Sequence, residues 1–333
     1  MSRTAPPPSG VLVMAHGAPA SPAGIQSFYT AIRHGRPPPP ELLDQLVRRY
    51  EAIGGTSPLT KRTRAQIDGL SSALEAAAPG KFVVGYGAKY ASPTIEEGMA
   101  TLVGAGVDRV IGLVLTPHQS SLGSNEYLRR AREASESGPA PVDFTAVPSW
   151  HRVPGLAELL ADRVRAVLAA LDDGDARRVA VFFTAHSLPR RAVAEGDPYP
   201  TQVGESASDI AGLAGLDDMA GLRWGVAWQS AGRTDEAWIG PDLLAEMARA
   251  ADAGATSVVV CPVGFVSDHL EILYDLDIEA AAMARSLGVG FARTPSLNDD
   301  PRFTALLAQV VCRAAVPATQ GDVPAVIGPT HPA

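Results

Sequence analysis

The strongest constraint on what this chain can fold into is an internal echo. VLVMAHG, from Val11, and VFFTAHS, from Val181, are each a short apolar run that ends in Ala-His. Later in each half, SPTIEEGMATLVGAGVDRVIGLVLTPH and GPDLLAEMARAADAGATSVVVCPVGFVSDH run in parallel. Each reads as a proline in the first helical turn, an amphipathic helix, an Ala-Gly stop and a buried strand leading to a histidine. A chain of 333 residues that repeats such a pattern loosely is expected to form two similar units. We place them at residues 10–165 and 166–314, joined near 148–175, with 1–9 and 315–333 as flexible, Pro/Ala/Gly-rich tails.

Within each unit, β-branched runs alternate with helical ones. Strands are expected at Val11–Met14, Phe82–Tyr86, Arg109–Leu115 and Asp143–Val147, then at Arg178–Phe183, Arg223–Ala227, Ser257–Val260 and Val289–Ala292. Between them, Lys61–Ala78, Thr94–Ala105, Ala157–Leu171, Asp242–Ala253 and Phe303–Ala314 carry apolar residues at helical spacing. Strand and helix in alternation argue for an α/β protein, two doubly wound units of parallel strands with helices on both faces.

Several functions are disfavoured at once. A net charge of −8 suits a nucleic-acid partner poorly. The two cysteines, Cys261 and Cys312, are too few to hold an iron–sulfur cluster with four thiolates of this chain. No apolar run has the length of a signal peptide core or a membrane helix, so a cytoplasmic protein without a transmembrane segment is expected. Gly85-Tyr86-Gly87 opens a dinucleotide fingerprint, but Tyr90 stands where its third glycine belongs, and no phosphate loop is present, so no nucleotide cofactor is expected. Trp228-Gln229-Ser230-Ala231-Gly232 is only half of a nucleophile elbow.

Four of the seven histidines, His16, His118, His186 and His269, fall just past expected strand ends. Open parallel sheets bind ligands there. A single such histidine is more often a buried side chain satisfied by the backbone; four at equivalent points are harder to assign that way. Next to His269, Glu271, Asp275 and Glu279 follow at i, i+4 and i+8, which on an α-helix stacks three carboxylates on one face. Such a row is either a solvated face or a path for cations or protons. In the first half, residues 33–64 hold seven Lys and Arg (33, 36, 48, 49, 61, 62, 64) against three acids (41, 44, 51), a basic edge suited to carboxylates.

At this point the motifs resemble a family. AHSLPRRAVAEGDPYPTQ, WQSAGRT, WIGPD and PVGFVSDHLEILYDLDIE are similar to ferrochelatase sequences. VMAHGAP, IRHGRPPPPELLDQLVRRYEAIGGTSPL and TPHQSS resemble the coproporphyrin-dependent branch of that family. The likeness runs from about residue 10 to 313. It implies two Rossmann-like domains, each a four-stranded parallel sheet flanked by helices as in class II chelatases, with a porphyrin cleft between them. It implies that His186 and Glu271 flank the porphyrin centre as metal- and proton-handling groups, and that Asp275 and Glu279 form a relay to the surface. Arg33, Arg49, Tyr50, Ser57 and Tyr127 match residues that hold the ring and its carboxylates. The family pattern is broken at His16, where a tyrosine is usual and serves as axial ligand of the product iron. It is broken again at Tyr90, often a histidine, and at His34, often an arginine. Imidazole is a competent iron ligand, so His16 is carried as a candidate axial ligand.

The resemblance thus implies insertion of ferrous iron, as substrate, into coproporphyrin III during haem synthesis. A protoporphyrin IX ferrochelatase, another tetrapyrrole chelatase using a different metal such as cobalt, and a non-catalytic haem carrier working through His16 are the alternatives. The chain is expected to be a monomer, with a downstream enzyme of the haem pathway as a candidate recipient of the product.

Overall fold

The computed structural model describes residues 7–138, 141–171, 178–232 and 236–316. Most of both expected tails, residues 1–6 and 317–333, and part of the expected joint, 172–175, lie outside the described residues. Eight strands form two sheets. The first takes β1 (Ser9–Ala15), β2 (Phe82–Ala88), β3 (Arg109–Val114) and β4 (Asp143–Val147) in the order β2-β1-β3-β4. The second takes β5 (Val179–His186), β6 (Arg223–Gln229), β7 (Ser257–Cys261) and β8 (Gly290–Arg293) in the order β6-β5-β7-β8. Every pairing is parallel. The same order in both sheets is the structural form of the repeat read in the sequence.

Parallel strands covered on both faces should be apolar throughout rather than alternating. β1 and β5 are: Val11, Leu12, Val13 and Met14 are fully buried, as are Val181, Phe183 and Ala185. In the first half the helices are α1 (Ile25–Ile32), α2 (Pro40–Ala52), α3 (Leu59–Ala77), α4 (Ile95–Gly104), α5 (Ser124–Ser137) and α6 (Leu156–Ala170). In the second they are α7 (Arg190–Ala194), α8 (Tyr199–Ala214), α9 (Leu243–Asp252), α10 (Leu270–Leu273), α11 (Ala281–Leu287) and α12 (Pro301–Ala315). Helix α4 starts at a capping box, in which the Thr94 hydroxyl accepts from Glu97 N while the Glu97 carboxylate accepts from Thr94 N.

Three apolar clusters hold this together. Leu12, Met14, Ile95, Met99 and Leu102 fill the outer face of the first sheet, and Phe182, Met247, Val258, Ile272 and Leu276 the outer face of the second. The largest cluster joins the inner faces of both sheets, from Val11, Leu70 and Leu113 through Trp150, Leu160 and Phe303 to Phe183 and Val259. Burying each of these larger side chains contributes about 1.5–3 kcal/mol. The packing crosses between the halves: α6 lies on α8 and β7 of the second sheet, while α12 returns to α3, β3 and β4 of the first.

One element departs from its expected form. The run after Glu271 is not a continuous α-helix. After the single turn of α10, Asp275–Ala280 form a π-helix, with the Glu279 N–H bonded to the Tyr274 carbonyl at 2.9 Å. A wide turn of this kind is uncommon and recurs at functional sites. Here Leu276 and Ala280 keep the buried side filled, while Asp275 is tied by its side chain to Arg49 and Ser230.

Candidate active site

In each sheet the chain leaves its first strand toward one side and later returns on the other, so β1/β3 and β5/β7 flank a switch point. The crevice outside the carboxyl ends of such strands is where ligands bind. β5 ends on His186 itself, and the loop after β7 leads to His269 and then to Glu271 in α10. The structure brings the three side chains together. Glu271 Oε1 lies 3.6 Å from His186 Nε2, and its Oε2 lies 3.5 Å from His269 Nε2. Both rings are oriented from behind: His186 Nδ1 is 2.6 Å from the Ser187 carbonyl and His269 Nδ1 is 3.0 Å from that of Ser267. A carbonyl only accepts, so each Nδ1 carries the proton and each Nε2 faces the carboxylate. The Gln229 amide donates to the Glu271 backbone carbonyl at 3.2 Å, fastening the end of β6 to the same turn.

Gly264 makes this approach feasible. A Cβ there would lie 2.6 Å from that of Ala185, and the Gly264 N–H donates to the Thr184 carbonyl at 3.0 Å. The loop after β7 therefore rests directly on the last turn of chain before His186.

The electrostatics follow from the geometry. Burial alone would lower the His186 pKa, but the charge and hydrogen bonding of Glu271, helped by the Ser187 carbonyl, overcome it and raise the group above its ordinary value. Burial would raise Glu271; the two histidines override it and hold its carboxyl well below the usual range. The pair still faces solvent, with side-chain exposures of 36% and 31%. Two ligand-type groups with an open face suit a metal in transit better than one held permanently. Among the described residues, no group of three or more His, Cys, Asp or Glu is arranged to hold a metal ion.

Beyond Glu271 the acidic row is engaged, not free. Asp275 is buried; Oδ1 accepts from Arg49 Nη2 of α2 and Oδ2 from the Ser230 hydroxyl. Arg49 also lies over the Tyr274 ring, 4.5 Å from its centroid. Ser230 sits at φ 59°, a conformation that costs a non-glycine residue about 1–3 kcal/mol and so marks a constrained corner. Glu279 is half-buried, one π-turn further on.

The first half supplies the facing wall. His16 follows β1, stacks edge-on against Tyr90 (4.9 Å) and Phe28 (5.7 Å), and places Nδ1 3.2 Å from the Gly17 carbonyl. The residue is exposed, yet loss of hydration to the protein around its ring pushes its pKa down. Glu271 opposes that push across the cleft, while His269 and Lys89 add to it. Tyr50 is buried, and burial together with Glu271 and against Arg49 keeps its phenol protonated. Tyr127 is also buried; Lys89 lies between it and Tyr90, 5.0 and 5.1 Å from the ring centroids, with Nζ 2.5 Å from Glu126. Ser57 Oγ accepts from Leu59 N at the start of α3, and Arg33 follows α1 over the Tyr29 ring. The Nε atoms of both Arg33 and Arg49 are buried without an acceptor among the described residues.

His118 has a different fate. It is buried, with Nε2 2.9 Å from the Ser206 hydroxyl of α8, and burial pushes its pKa down to about 3. With His151 and Asp197, which accepts from Ser120 and Ser121, it pins the loop after β3 to the second half. Of the four strand-end histidines, this one is built into the core. A cavity of about 500 Å³ between β6 and α9 lies at the opposite, amino end of the strands and touches none of these groups.

Sequence reasoning left three contributors unassigned: His269, although flagged as a strand-end histidine, and Gln229 and Ser230, although part of the WQSAGRT motif. Arg233 and Thr234 of that motif lie outside the described residues.

With this geometry established, comparison with known proteins gives a consistent result. The sequence profile of the ferrochelatase family matches residues 8–315. A ferrochelatase of Herpetosiphon aurantiacus is 40% identical over 303 residues, 91% of this chain and 98% of that one. A coproporphyrin III ferrochelatase of Geobacillus kaustophilus is 39% identical over 308 residues, 92% of this chain and 95% of its own. Among solved structures, SirB of Bacillus subtilis with Fe3+ shares the fold at a TM-score of 0.54 and 12% identity, covering 92% of this chain and 96% of that one.

Proposed function

The chain belongs to the ferrochelatase family, and from that premise we propose that it inserts ferrous iron into coproporphyrin III, giving iron coproporphyrin III for haem synthesis. The observation that carries this reading is the His186–Glu271 pair, open to the cleft at the switch point of the second sheet. The relatives that act on coproporphyrin III support the choice of ring.

The chemistry follows from these groups. Iron can enter the ring only as the pyrrolic nitrogens lose their protons. With the cleft empty, Glu271 favours the protonated form of His186. A divalent cation arriving at Glu271 offsets the charge that favours that proton, so metal entry lowers the His186 pKa, lets its proton pass to water at the open face of the pair and leaves a base facing the ring. His269 Nε2 lies 3.5 Å from the other Glu271 oxygen, on the far side of the carboxylate from His186. The first unit, residues 10–165, grips the ring, and the second, 166–314, handles metal and protons. Arg33, Arg49, Tyr50, Ser57 and Tyr127 form the ring-holding side, and the two unpaired buried Nε donors favour carboxylate acceptors there. Asp275 and Glu279 continue the path from Glu271. His16, with Nε2 turned away from its carbonyl partner, serves as axial ligand of the finished iron porphyrin. We further propose a cytoplasmic monomer, in keeping with a water-soluble polycarboxylate substrate, that passes its product to a downstream enzyme of the haem pathway. Among the described residues no helix is long and apolar enough to cross a membrane.

The test is anaerobic ferrous iron with coproporphyrin III or protoporphyrin IX, followed by absorbance, for wild type and His186→Ala. Fast insertion into coproporphyrin III, lost in the variant, is the expected result. A preference for protoporphyrin IX would overturn the ring assignment, and no insertion into either ring would overturn the activity.

A further inference from the structure

Arg49 and Asp275 have been given separate tasks, one toward the ring and one toward metal and protons. In the structure they are bonded to each other, across 226 residues of sequence and from opposite walls of the cleft. With Ser230 on its other oxygen, Asp275 has both oxygens occupied and its charge neutralised. A buried carboxylate in that state attracts a cation poorly. Arg49, in turn, still has an unsatisfied donor: Nε is buried and has no acceptor among the described residues, as is the case for Arg33 Nε on the same side of the molecule. A guanidinium binds a carboxylate best through two parallel N–H groups, and the edge bearing Nε also bears Nη2, the atom now on Asp275. A ring carboxylate taken up by that edge would compete directly with Asp275.

We propose that Arg49 is a substrate-operated latch, which occupies Asp275 while the cleft is empty and releases it when a carboxylate of the macrocycle takes its place. The latch rests on the porphyrin-chelatase reading above and adds an order to it. The ring arrives first, and only then does the path to Glu271 gain a free carboxylate. Tyr274, beneath the guanidinium, offers Arg49 the same face in either position, so the exchange needs only a small movement. Ser230 stays with Asp275 throughout and keeps the freed carboxylate aimed at the cleft.

The experiment measures Zn2+ affinity by competition with a chromophoric chelator. The protein is used alone, with copper coproporphyrin III, whose centre is already filled, and with the methyl ester of that complex, which lacks the carboxylates. In wild type the free acid should tighten Zn2+ binding about tenfold and the ester should not. Arg49→Met should bind Zn2+ about tenfold more tightly than wild type with the cleft empty, with little further gain from the acid. Asp275→Asn should abolish the gain in both cases. Equal effects of acid and ester in wild type, or an Arg49→Met variant with wild-type Zn2+ affinity, would overturn the latch while leaving the chelatase reading intact. Failure of the free acid to bind at all, visible in its own absorbance, would overturn both.

Discussion

His16 and His186 occupy matching places in the two halves, one directly after β1 and the other as the last residue of β5, yet their surroundings push them in opposite directions. Both rings set Nδ1 against a backbone carbonyl one residue on, and both lose hydration to the protein around them. The difference is Glu271. It stands 3.6 Å from His186 and overturns the effect of burial there; at His16 it only moderates it. The second pair repeats the contrast, since His118 is locked neutral against Ser206 while His269 faces the carboxylate. The repeated scaffold thus offers four imidazoles at comparable points, and one carboxylate on one turn of helix reverses at His186 the downward push that burial exerts at His16 and His118.

Removing that carboxylate should have the largest effect. Glu271→Gln keeps the shape but not the charge, and insertion should fall by roughly 10²–10⁴-fold. The sharper readout is His186 itself. Its titration, followed by NMR, should move from above the ordinary histidine value to below it, because burial is then opposed only by the Ser187 carbonyl. A His186 pKa that stays raised in Glu271→Gln would show that the difference between the halves has another source. The same shifts fix a pH window in wild type. The raised His186 contributes stability below 6.5 that is lost as pH rises through its folded value. The depressed Glu271 contributes stability above 4.5 that is lost as pH falls through its own. Without added metal the pair should be tightest between those limits.

Gly264 tests whether the second half needs its close packing. Gly264→Ala drives a methyl group into Ala185 at 2.6 Å, next to His186, where neither backbone can yield cheaply. A loss of about 1–3 kcal/mol in unfolding free energy is expected, with a drop in insertion rate larger than the drop in ring affinity. Unchanged kinetics at full stability would mean that the His186 position tolerates movement of its strand.

Much of this was legible in the sequence. Buried parallel strands announce themselves as unbroken apolar runs, and the repeat divides them into two matching sets; their order within each sheet is visible only in the structure. The partners of the strand-end histidines were not legible. Ser206 lies 88 residues from His118, and nothing local distinguishes a histidine that will be roofed by α8 from one that will face a cleft. The π-turn was equally hidden, since α and π spacing differ by one hydrogen-bond step and Asp275 is held by Arg49 from the other half. Ser230 reads in the sequence only as part of an incomplete nucleophile elbow, because a positive φ on a serine leaves no mark in composition.

His118 offers a smaller, purely structural test of the same contrast. As a buried neutral group with a pKa of about 3, it makes the unfolded chain the better proton acceptor below pH 6.5. Stability should therefore fall by about 1.4 kcal/mol per pH unit from this group as pH drops from 6.5 toward 3. His118→Leu should cost about 1–3 kcal/mol at pH 7, where it leaves Ser206 unpaired, and should flatten the acid slope. Insertion activity of the folded variant should stay near wild type, unlike that of any change at His186.

The smallest effect on rate is expected at His16, and it separates the halves most finely. His16→Phe preserves an aromatic edge toward Phe28 and Tyr90 but removes the imidazole nitrogen from the cleft. Because proton transfer is assigned to the opposite wall, insertion should slow by less than about tenfold. The ferric product held in the cleft should change far more, its absorption shifting as an imidazole ligand is replaced by water or by nothing. An unchanged spectrum would remove His16 from the iron. A collapse of insertion as large as that of Glu271→Gln would mean that the two halves share the proton chemistry, and that His16 is pushed low so that it can take protons from the ring rather than bind its metal.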